Sequence, residues 1–200
     1  MTRKRSPNFE TWKATETSNS LHELSEIAGR VCYDSFNKGR KTNKEYLDNI
    51  INHKHFSVLE HANVTFGIQG ISRACSHELV RHRHFSFSQR SQRYCTELEF
   101  VEHPSLSAEE RATLELDCMA LKLRYEDQMR NTDKKDRERL RMELPNCVET
   151  KMVVTGNLRA WREFLDKRLK PEADAEIRQL AYLILAELQE LAPHVFADYV

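Results

Sequence analysis

Apolar residues recur at helical spacing in four stretches of the chain. In residues 21–34, 46–51, 159–168 and 177–191 they return at intervals of three or four, as on one face of an amphipathic helix. The apolar positions are Leu21, Leu24, Ile27, Ala28 and Val31; Tyr46, Ile50 and Ile51; Trp161, Phe164 and Leu165; and Ile177, Leu180, Ala181, Ile184, Leu188 and Leu191. We predict a helix in each stretch, with a polar loop over 36–44.

Further helices are predicted from end signals and from spacing. Ser107-Ala-Glu-Glu110 has the form of a capping box and opens a long helix. Its apolar positions are Leu114, Leu116, Leu121, Leu123 and Tyr125. Another helix is predicted towards Arg83, with Ile71, Ala74, Cys75 and Leu79 on one face. The charged stretch 133–141 is predicted to be the turn that leads into another helix, which Pro145 ends.

Strands are indicated where apolar and polar residues alternate. The clearest case is 64–68, which we expect Gly70 to end, and Met152–Val154 forms a short candidate bounded by Gly156. Leu98 and Phe100 give a weaker signal. The pattern predicts an α+β fold, helix-dominated, with a small antiparallel or mixed sheet over 21–200. Residues 1–20 are polar and without periodicity, so we expect a loosely docked N-terminal arm.

Length and cysteine usage narrow the class of protein. The chain has 200 residues, which suits one domain, and no apolar run long enough to span a membrane. No apolar stretch follows the basic start, so no signal peptide is expected. The five cysteines, at 32, 75, 95, 118 and 147, form no C-x-x-C pair, which is typical of reduced thiols in a cytoplasmic protein. Cys32 and Cys147 lie near apolar residues and are interpreted as small core side chains.

The charge distribution points to one segment. Thirty-one basic residues balance thirty-one acidic ones, which argues against a polyanion-binding protein. Leu79 to Thr96 nevertheless contains no acidic residue and holds Arg81, Arg83, Arg90 and Arg93, with serines interleaved. Guanidinium groups and hydroxyls bind phosphate, so this segment predicts an anion site. A solvated basic face and a nucleic-acid surface with stacking aromatics remain alternatives; the absence of a wider basic field favours a compact phosphorylated ligand.

Other candidate chemistry is weaker. His53, His55, Glu60 and His61 are metal-ligand types, but no H-E-x-x-H motif or cysteine pair accompanies them, so we predict no metal. Contacts to a heterocyclic ligand and structural hydrogen bonds both remain open for these histidines. Ser91 lacks a G-x-S-x-G elbow and is interpreted as a phosphate ligand rather than a nucleophile. Neither G-x-G-x-x-G nor a Walker A motif is present.

The basic segment resembles the signature of the flavin-dependent thymidylate synthases, Arg-His-Arg followed after seven residues by a serine. Arg81-His82-Arg83 and Ser91 meet that spacing. Further blocks resemble the family in order, over about residues 25–199 and most closely in its actinobacterial branch. They are the segments 55–61, 70–73, 143–146, 154–157 and 159–161.

The resemblance implies the fold of that family and a cytoplasmic homotetramer with active sites at subunit interfaces. The implied reaction converts dUMP to dTMP. It takes carbon from 5,10-methylenetetrahydrofolate and hydride from NADPH through FAD, without a cysteine nucleophile. No metal, nucleic acid or membrane partner is implied.

Site residues are implied position by position. Arg168 matches the catalytic arginine that favours ionisation of uracil N3, and Glu138 matches a further active-site acid. The residues implied around dUMP are Glu78, Arg81, Gln89, Arg90, Ser91, Gln92, Arg93, Arg141 and Arg168. The residues implied around FAD are His55, Ser57, Arg81, His82, Arg83, Gln89, Asn157, Arg159 and Glu163.

Three positions depart from the common family pattern. Gln89 stands where many members have Glu, and Ser88 where many have Asn; both are interpreted as features of the actinobacterial subtype. Glu163 stands where others carry Asn or His near the flavin, so its contact is the least secure. A relative that keeps the binding sites without turnover is therefore an alternative to the active enzyme.

Overall fold

The structure, a computed structural model, describes residues 8–10, 20–36, 38–39 and 41–199. The helices are α1 (Leu21–Tyr33), α2 (Asn43–Asn52), α3 (Arg73–Leu79), α4 (Ala108–Asn131), α5 (Leu158–Arg168) and α6 (Ala175–Leu191). Short 3-10 helices span Phe56–His61, Lys134–Asp136 and Leu140–Glu143. The strands are β1 (Asn8–Glu10), β2 (Asn63–Ser72), β3 (Ser86–Gln89) and β4 (Glu149–Asn157).

The described strands form one antiparallel sheet in the order β1-β2-β4-β3. β2 and β4 are central and pair with Phe66 opposite Val154. The predicted α+β class is therefore confirmed, with the sheet antiparallel throughout the described part. The backbone of Asn8–Glu10 pairs with β2, so this part of the predicted arm joins the sheet, while most of 1–20 lies outside the described residues.

The hydrophobic core lies between one face of the sheet and the helices. Alternate residues of β2 and β4 are buried, and Trp161 of α5 packs edge-on against Phe66 with ring centroids 5.0 Å apart. Phe164 is also fully buried. The amphipathic faces predicted for α5 and α6 are both confirmed, since their apolar positions carry this core.

A buried carboxylate fixes the start of α3. Glu176 of α6 accepts hydrogen bonds from the Ser72 backbone N–H at 2.7 Å and from its hydroxyl at 2.5 Å. Ser72 in turn caps α3 by accepting from the Cys75 N–H at 3.0 Å. A buried acceptor with these partners is satisfied, so α3 is held in one orientation relative to α6.

The strand predictions were partly wrong. Gly70 does not end β2; it adopts a φ of 74° at a register shift between Ile68 and Ile71, and the strand continues to Ser72. Such a bulge needs a residue that tolerates positive φ, which glycine does. Ile71 thus belongs to the strand rather than to α3, and α3 ends at Leu79. Gly156 lies inside β4 rather than bounding it.

β3 was missed altogether. Its four residues lie within the basic segment, where interleaved serines hide the strand signal. The Leu98 and Phe100 signal corresponds only to an isolated bridge between Phe100 and Val148. The helix expected between the charged turn and Pro145 was also wrong: the structure has the 3-10 helix Leu140–Glu143 there, and a second 3-10 helix, Lys134–Asp136, within the turn.

Packing also corrects some predicted core positions. The capping box at Ser107 and the burial of Tyr125 on α4 are confirmed. Leu116 and Leu123 are 70% and 68% exposed, and Cys118 and Met129 are buried instead. Cys32 is exposed because the end of α1 faces solvent, and Cys147 is half-buried with its sulfur 3.9 Å from that of Cys118. No described helix is both long and apolar enough to cross a membrane.

Gly156 sits where a side chain would displace the Phe85 ring. A Cβ there would collide with Phe85 and lie 3.3 Å from Trp161 Nε1. We therefore expect Gly156→Ala to lower the free energy of unfolding by about 1–3 kcal/mol, as overpacking does. Urea unfolding followed by fluorescence measures this. Val153→Ala, at a half-exposed position of β4, is the control, and an unchanged midpoint for Gly156→Ala contradicts the expectation.

Candidate active site

Arg168, the last residue of α5, is held by the end of α3. Its Nη1 donates to Glu78 Oε2 at 2.5 Å, its Nη2 to the Glu78 carbonyl at 3.2 Å and its Nε to His82 Nε2 at 3.0 Å. The side chain is only 18% exposed. A guanidinium has further N–H donors, so Arg168 is fixed in place and still able to bind a ligand.

His82 acts as an acceptor because it is neutral. Burial, and then the charges of Arg168 and Lys167, lower its pKa to about 4. Its ring packs edge-on against Phe164 at 5.1 Å between centroids. At neutral pH the imidazole therefore offers Nε2 as a lone pair to the Arg168 Nε–H.

This pKa predicts acid-sensitive stability. The folded pKa of about 4 lies below the ordinary value of 6.5, so the unfolded chain binds the proton more readily and stability falls as the pH drops from 6.5 towards 4. We expect His82→Phe to lose less stability than the parent between pH 7 and pH 5, measured by urea midpoints. Burial also lowers the pKa of His22, but His22 is present in both proteins, so its contribution to the pH dependence cancels in the comparison. Equal pH dependence of the two proteins contradicts the assignment.

A small basic cavity lies beside this contact. It has a volume of about 190 Å³ and is lined by Arg81, His82, Arg83, His84, Phe85, Ala160, Glu163 and Lys167. The Arg81 and Arg83 side chains are exposed and, among the described residues, make no hydrogen bond or ion pair. Two unpaired guanidinium groups at one cavity favour an anionic ligand.

The other residues predicted around the flavin connect to this cavity. Arg159 pairs with Glu163 at 3.4 Å and with Glu60 at 2.6 Å, which joins α5 to the 3-10 helix Phe56–His61. His55 and Ser57, at the start of that helix, are exposed. The Asn157 side chain accepts from the Ala160 N–H at 2.8 Å and so caps α5. The structure thus brings most of the predicted flavin residues to one region.

The predicted residues after β3 are held by the protein itself. The Gln89 amide donates to Ser76 Oγ at 2.9 Å and to Thr150 Oγ1 at 3.3 Å. Arg90 pairs with the buried Glu149 at 3.4 Å and donates to the Glu97 carbonyl at 3.0 Å. These contacts use both side chains to fix the segment against α3 and β4.

The next residues offer free cationic groups. Ser91 Oγ accepts from the Arg93 N–H at 3.2 Å, and Arg93 reaches Glu138 at 3.6 Å. Within the described part, the buried Arg93 Nε has no hydrogen-bond partner. Arg141 is exposed, and its charge together with burial lowers the pKa of Arg73. The carbonyl of Gln92, in the same turn, accepts from Tyr125 at 3.4 Å.

The predicted site residues therefore form two groups. The first group comprises Glu78, Arg81–Arg83, Glu163 and Arg168, and the second group comprises Gln89–Arg93, Glu138 and Arg141. A cavity of about 490 Å³ reaches the second group through Gln89 and Arg90 but contains no residue of the first. The basic cavity of the first group contains none of the second.

Comparison with known proteins identifies the family. The sequence pattern of the thymidylate synthase complementing protein family matches residues 15–194. The chain belongs to this family. Flavin-dependent thymidylate synthases of Mycobacterium avium and Mycobacterium tuberculosis are each 45% identical over 196 residues, covering 88% of this chain and 78% of the relative. These mycobacterial relatives confirm both the resemblance and its actinobacterial branch.

The fold of the family is also confirmed. The crystal structure of Thymidylate Synthase X from Helicobacter pylori with FAD and dUMP has a TM-score of 0.67 and 25% identity to this chain. The match covers 88% of this chain and 93% of that one.

Several residues in or near the candidate site were not predicted as site residues from the sequence. Lys167, His84 and Phe85 line the basic cavity, and Arg73 lies near Arg141. Lys167 is next to Arg168 in the sequence, but it lines the cavity only because the end of α3 packs against the end of α5. Among the described residues, no three His, Cys, Asp or Glu side chains come together as metal ligands.

Proposed function

We propose that this chain is a flavin-dependent thymidylate synthase that converts dUMP to dTMP. The observation that carries the proposal, together with the family match, is the partly buried guanidinium of Arg168. Glu78 and His82 hold it in place, and it keeps N–H donors that neither residue uses. A preorganised cation at the pyrimidine stabilises the negative charge that develops when N3 ionises, and this makes C5 more nucleophilic.

The nucleotide phosphate fits the second group. Among the described residues the exposed Arg141 side chain has no ion-pair partner, and Arg93 is only weakly engaged by Glu138. Both guanidinium groups are therefore available to a phosphate, with the Ser91 hydroxyl next to Arg93. Fixing the phosphate orients the ring for reaction. Gln89, Arg90 and Gln92 hold the shape of this segment in our proposal, and Glu138 releases Arg93 when the phosphate binds.

FAD fits the first group and its neighbours. Arg81 and Arg83, cations without an ion-pair partner in the described part of the chain, line the cavity with the aromatic Phe85, which suits an anionic diphosphate joined to a flat ring system. His55, Ser57, Asn157 and Arg159 are proposed to surround it, and the ion pair with Arg159 makes Glu163 a positioning residue. When bound, the flavin supplies the redox chemistry, with NADPH and 5,10-methylenetetrahydrofolate as co-substrates.

A homotetramer with sites between subunits is proposed for the active form. The basic cavity of about 190 Å³ is smaller than typical ligand pockets of roughly 300–1,000 Å³, and the predicted dUMP residues are split between two groups. A second copy that brings its second group to the first group of its neighbour completes the site. We propose a cytoplasmic location and neither metal, nucleic-acid nor membrane partners.

Flavin binding tests the cofactor assignment directly. We expect the purified protein to show the visible absorption bands of bound flavin and to rebind FAD after its removal. The double variant Arg81→Ala/Arg83→Ala should bind FAD at least about tenfold more weakly, because two charge-assisted contacts are lost. The matched control is Arg130→Ala/Arg139→Ala, two exposed arginines outside both groups. Equal FAD affinity in both double variants contradicts the assignment.

A further inference from the structure

Two roles can be assigned to His82: contact with the flavin and contact with Arg168. The family resemblance assigns it to the flavin, yet its Nε2 atom is occupied by the Arg168 Nε–H at 3.0 Å. A ring nitrogen that accepts this hydrogen bond has no lone pair left at that atom for a ligand. The cavity-lining part of His82 is therefore chiefly its ring surface.

The position of the imidazole is set by packing rather than by the ligand. Its ring contacts Phe164 of the core and tilts against Phe85 at 6.0 Å between centroids. Phe164 is fully buried, so this side of the imidazole cannot move without disturbing α5. Arg168 lies at the end of the same helix, and the hydrogen bond closes a small rigid unit.

Glu78 alone does not define the direction of the Arg168 guanidinium. Its carboxylate and its carbonyl accept from Nη1 and Nη2, and the carboxylate is 35% exposed. The acceptor at Nε lies on another edge of the planar group, and a contact there limits rotation about the Cδ–Nε bond and sideways movement of the group. Orientation errors of about 1 Å reduce turnover strongly.

We propose that His82 is a positioning residue for Arg168: as a neutral acceptor at Nε, it aims the guanidinium at the pyrimidine. This inference rests on the proposed function and goes beyond it, because it gives His82 a role in nucleotide activation that is separate from flavin binding. Burial of the ring, and then the charges of Arg168 and Lys167, lower the pKa of His82 and keep it unprotonated.

Three variants separate these roles in the FAD-loaded enzyme. His82→Phe keeps the ring packing and removes the acceptor, His82→Gln retains an acceptor oxygen, and His77→Gln replaces an exposed imidazole on α3 as control. We expect His82→Phe to weaken dUMP binding about tenfold and to lower kcat by at least as much, with an FAD dissociation constant within about twofold of the parent. His82→Gln should recover part of both losses.

A double-mutant cycle decides whether His82 acts through Arg168. In an Arg168→Ala background, we expect His82→Phe to change dUMP affinity by less than about twofold, since the group it positions is absent. A full tenfold effect there overturns the inference, because His82 then acts on dUMP independently of Arg168. A tenfold loss of FAD affinity in His82→Phe also overturns it, in favour of a direct flavin role. If the parent enzyme itself neither binds dUMP nor forms dTMP, the proposed function fails instead. Thermal unfolding midpoints confirm that each variant is folded.

Discussion

Replacing Arg168 with alanine is expected to reduce dTMP formation by about 10²- to 10³-fold while FAD remains bound. The guanidinium is the cation that we place at the pyrimidine, and loss of one preorganised donor to a developing charge has an effect of this size. Arg168 does not line the basic cavity that we assign to the flavin, so its removal should leave FAD affinity nearly unchanged. Initial rates of dTMP formation and a flavin titration give the two quantities.

Two further variants sharpen this prediction. Arg168→Lys keeps the charge but loses the planar fork, so we expect it to restore little of the activity. Lys170→Ala, two residues beyond α5 and exposed, is the control for the charge change in this region. An Arg168→Ala enzyme that keeps most of its turnover removes Arg168 from the proposed mechanism.

Replacing Arg93 with alanine is expected to raise the dUMP dissociation constant by about 10- to 100-fold. In the structure its guanidinium reaches Glu138 at 3.6 Å and lies 5.9 Å from the centroid of the Tyr94 ring. The Arg93 and Glu138 side chains are 43% and 59% exposed. An exposed ion pair of this kind contributes little to folding, whereas a charge-assisted contact to phosphate contributes about 1.5–3 kcal/mol to binding. The effect should therefore appear in dUMP affinity and not in the unfolding midpoint.

Glu138, the ion-pair partner of Arg93, provides a matched variant for the dUMP titration. Glu138→Gln removes the competing carboxylate charge, so we expect dUMP to bind no more weakly than in the parent. Arg130→Ala, an exposed arginine at the end of α4, controls for the loss of a positive charge. An unchanged dUMP dissociation constant in Arg93→Ala removes this residue from the phosphate site.

Elements with strong amphipathic periodicity were predictable from the sequence. α5 and α6 were found within one or two residues, because each buries one face and carries clear end signals, such as the Asn157 cap of α5. The span of α1 was found as closely, but its predicted face was partly wrong. Ile27 and Val31 are 38% and 63% exposed, and Ser25, Gly29 and Arg30 are buried instead. β3 was not predicted, because its four residues alternate serines with Phe87 and Gln89 and lie on a half-exposed edge of the sheet. The continuation of β2 past Gly70 depends on a bulge that only the pairing with β4 defines.

The site was predictable as a set of residues but not as an arrangement. The absence of acids between Leu79 and Thr96 singled out the arginines, and the family resemblance supplied Arg168. That Arg168 contacts His82, 86 positions earlier in the chain, follows only from the packing of α5 against the end of α3. Likewise, the side chain of Arg90 looked free in the sequence, yet the buried Glu149 engages it.

The most direct test of the account is product formation by the purified enzyme. The FAD-loaded protein is mixed with dUMP, NADPH and 5,10-methylenetetrahydrofolate under anaerobic conditions, and dTMP is quantified by chromatography. We predict dTMP formation that requires all three substrates and that falls in Arg168→Ala while bound flavin is retained. A correctly folded, flavin-loaded protein that binds dUMP but forms no dTMP contradicts the account and identifies a relative that has kept its binding sites without turnover.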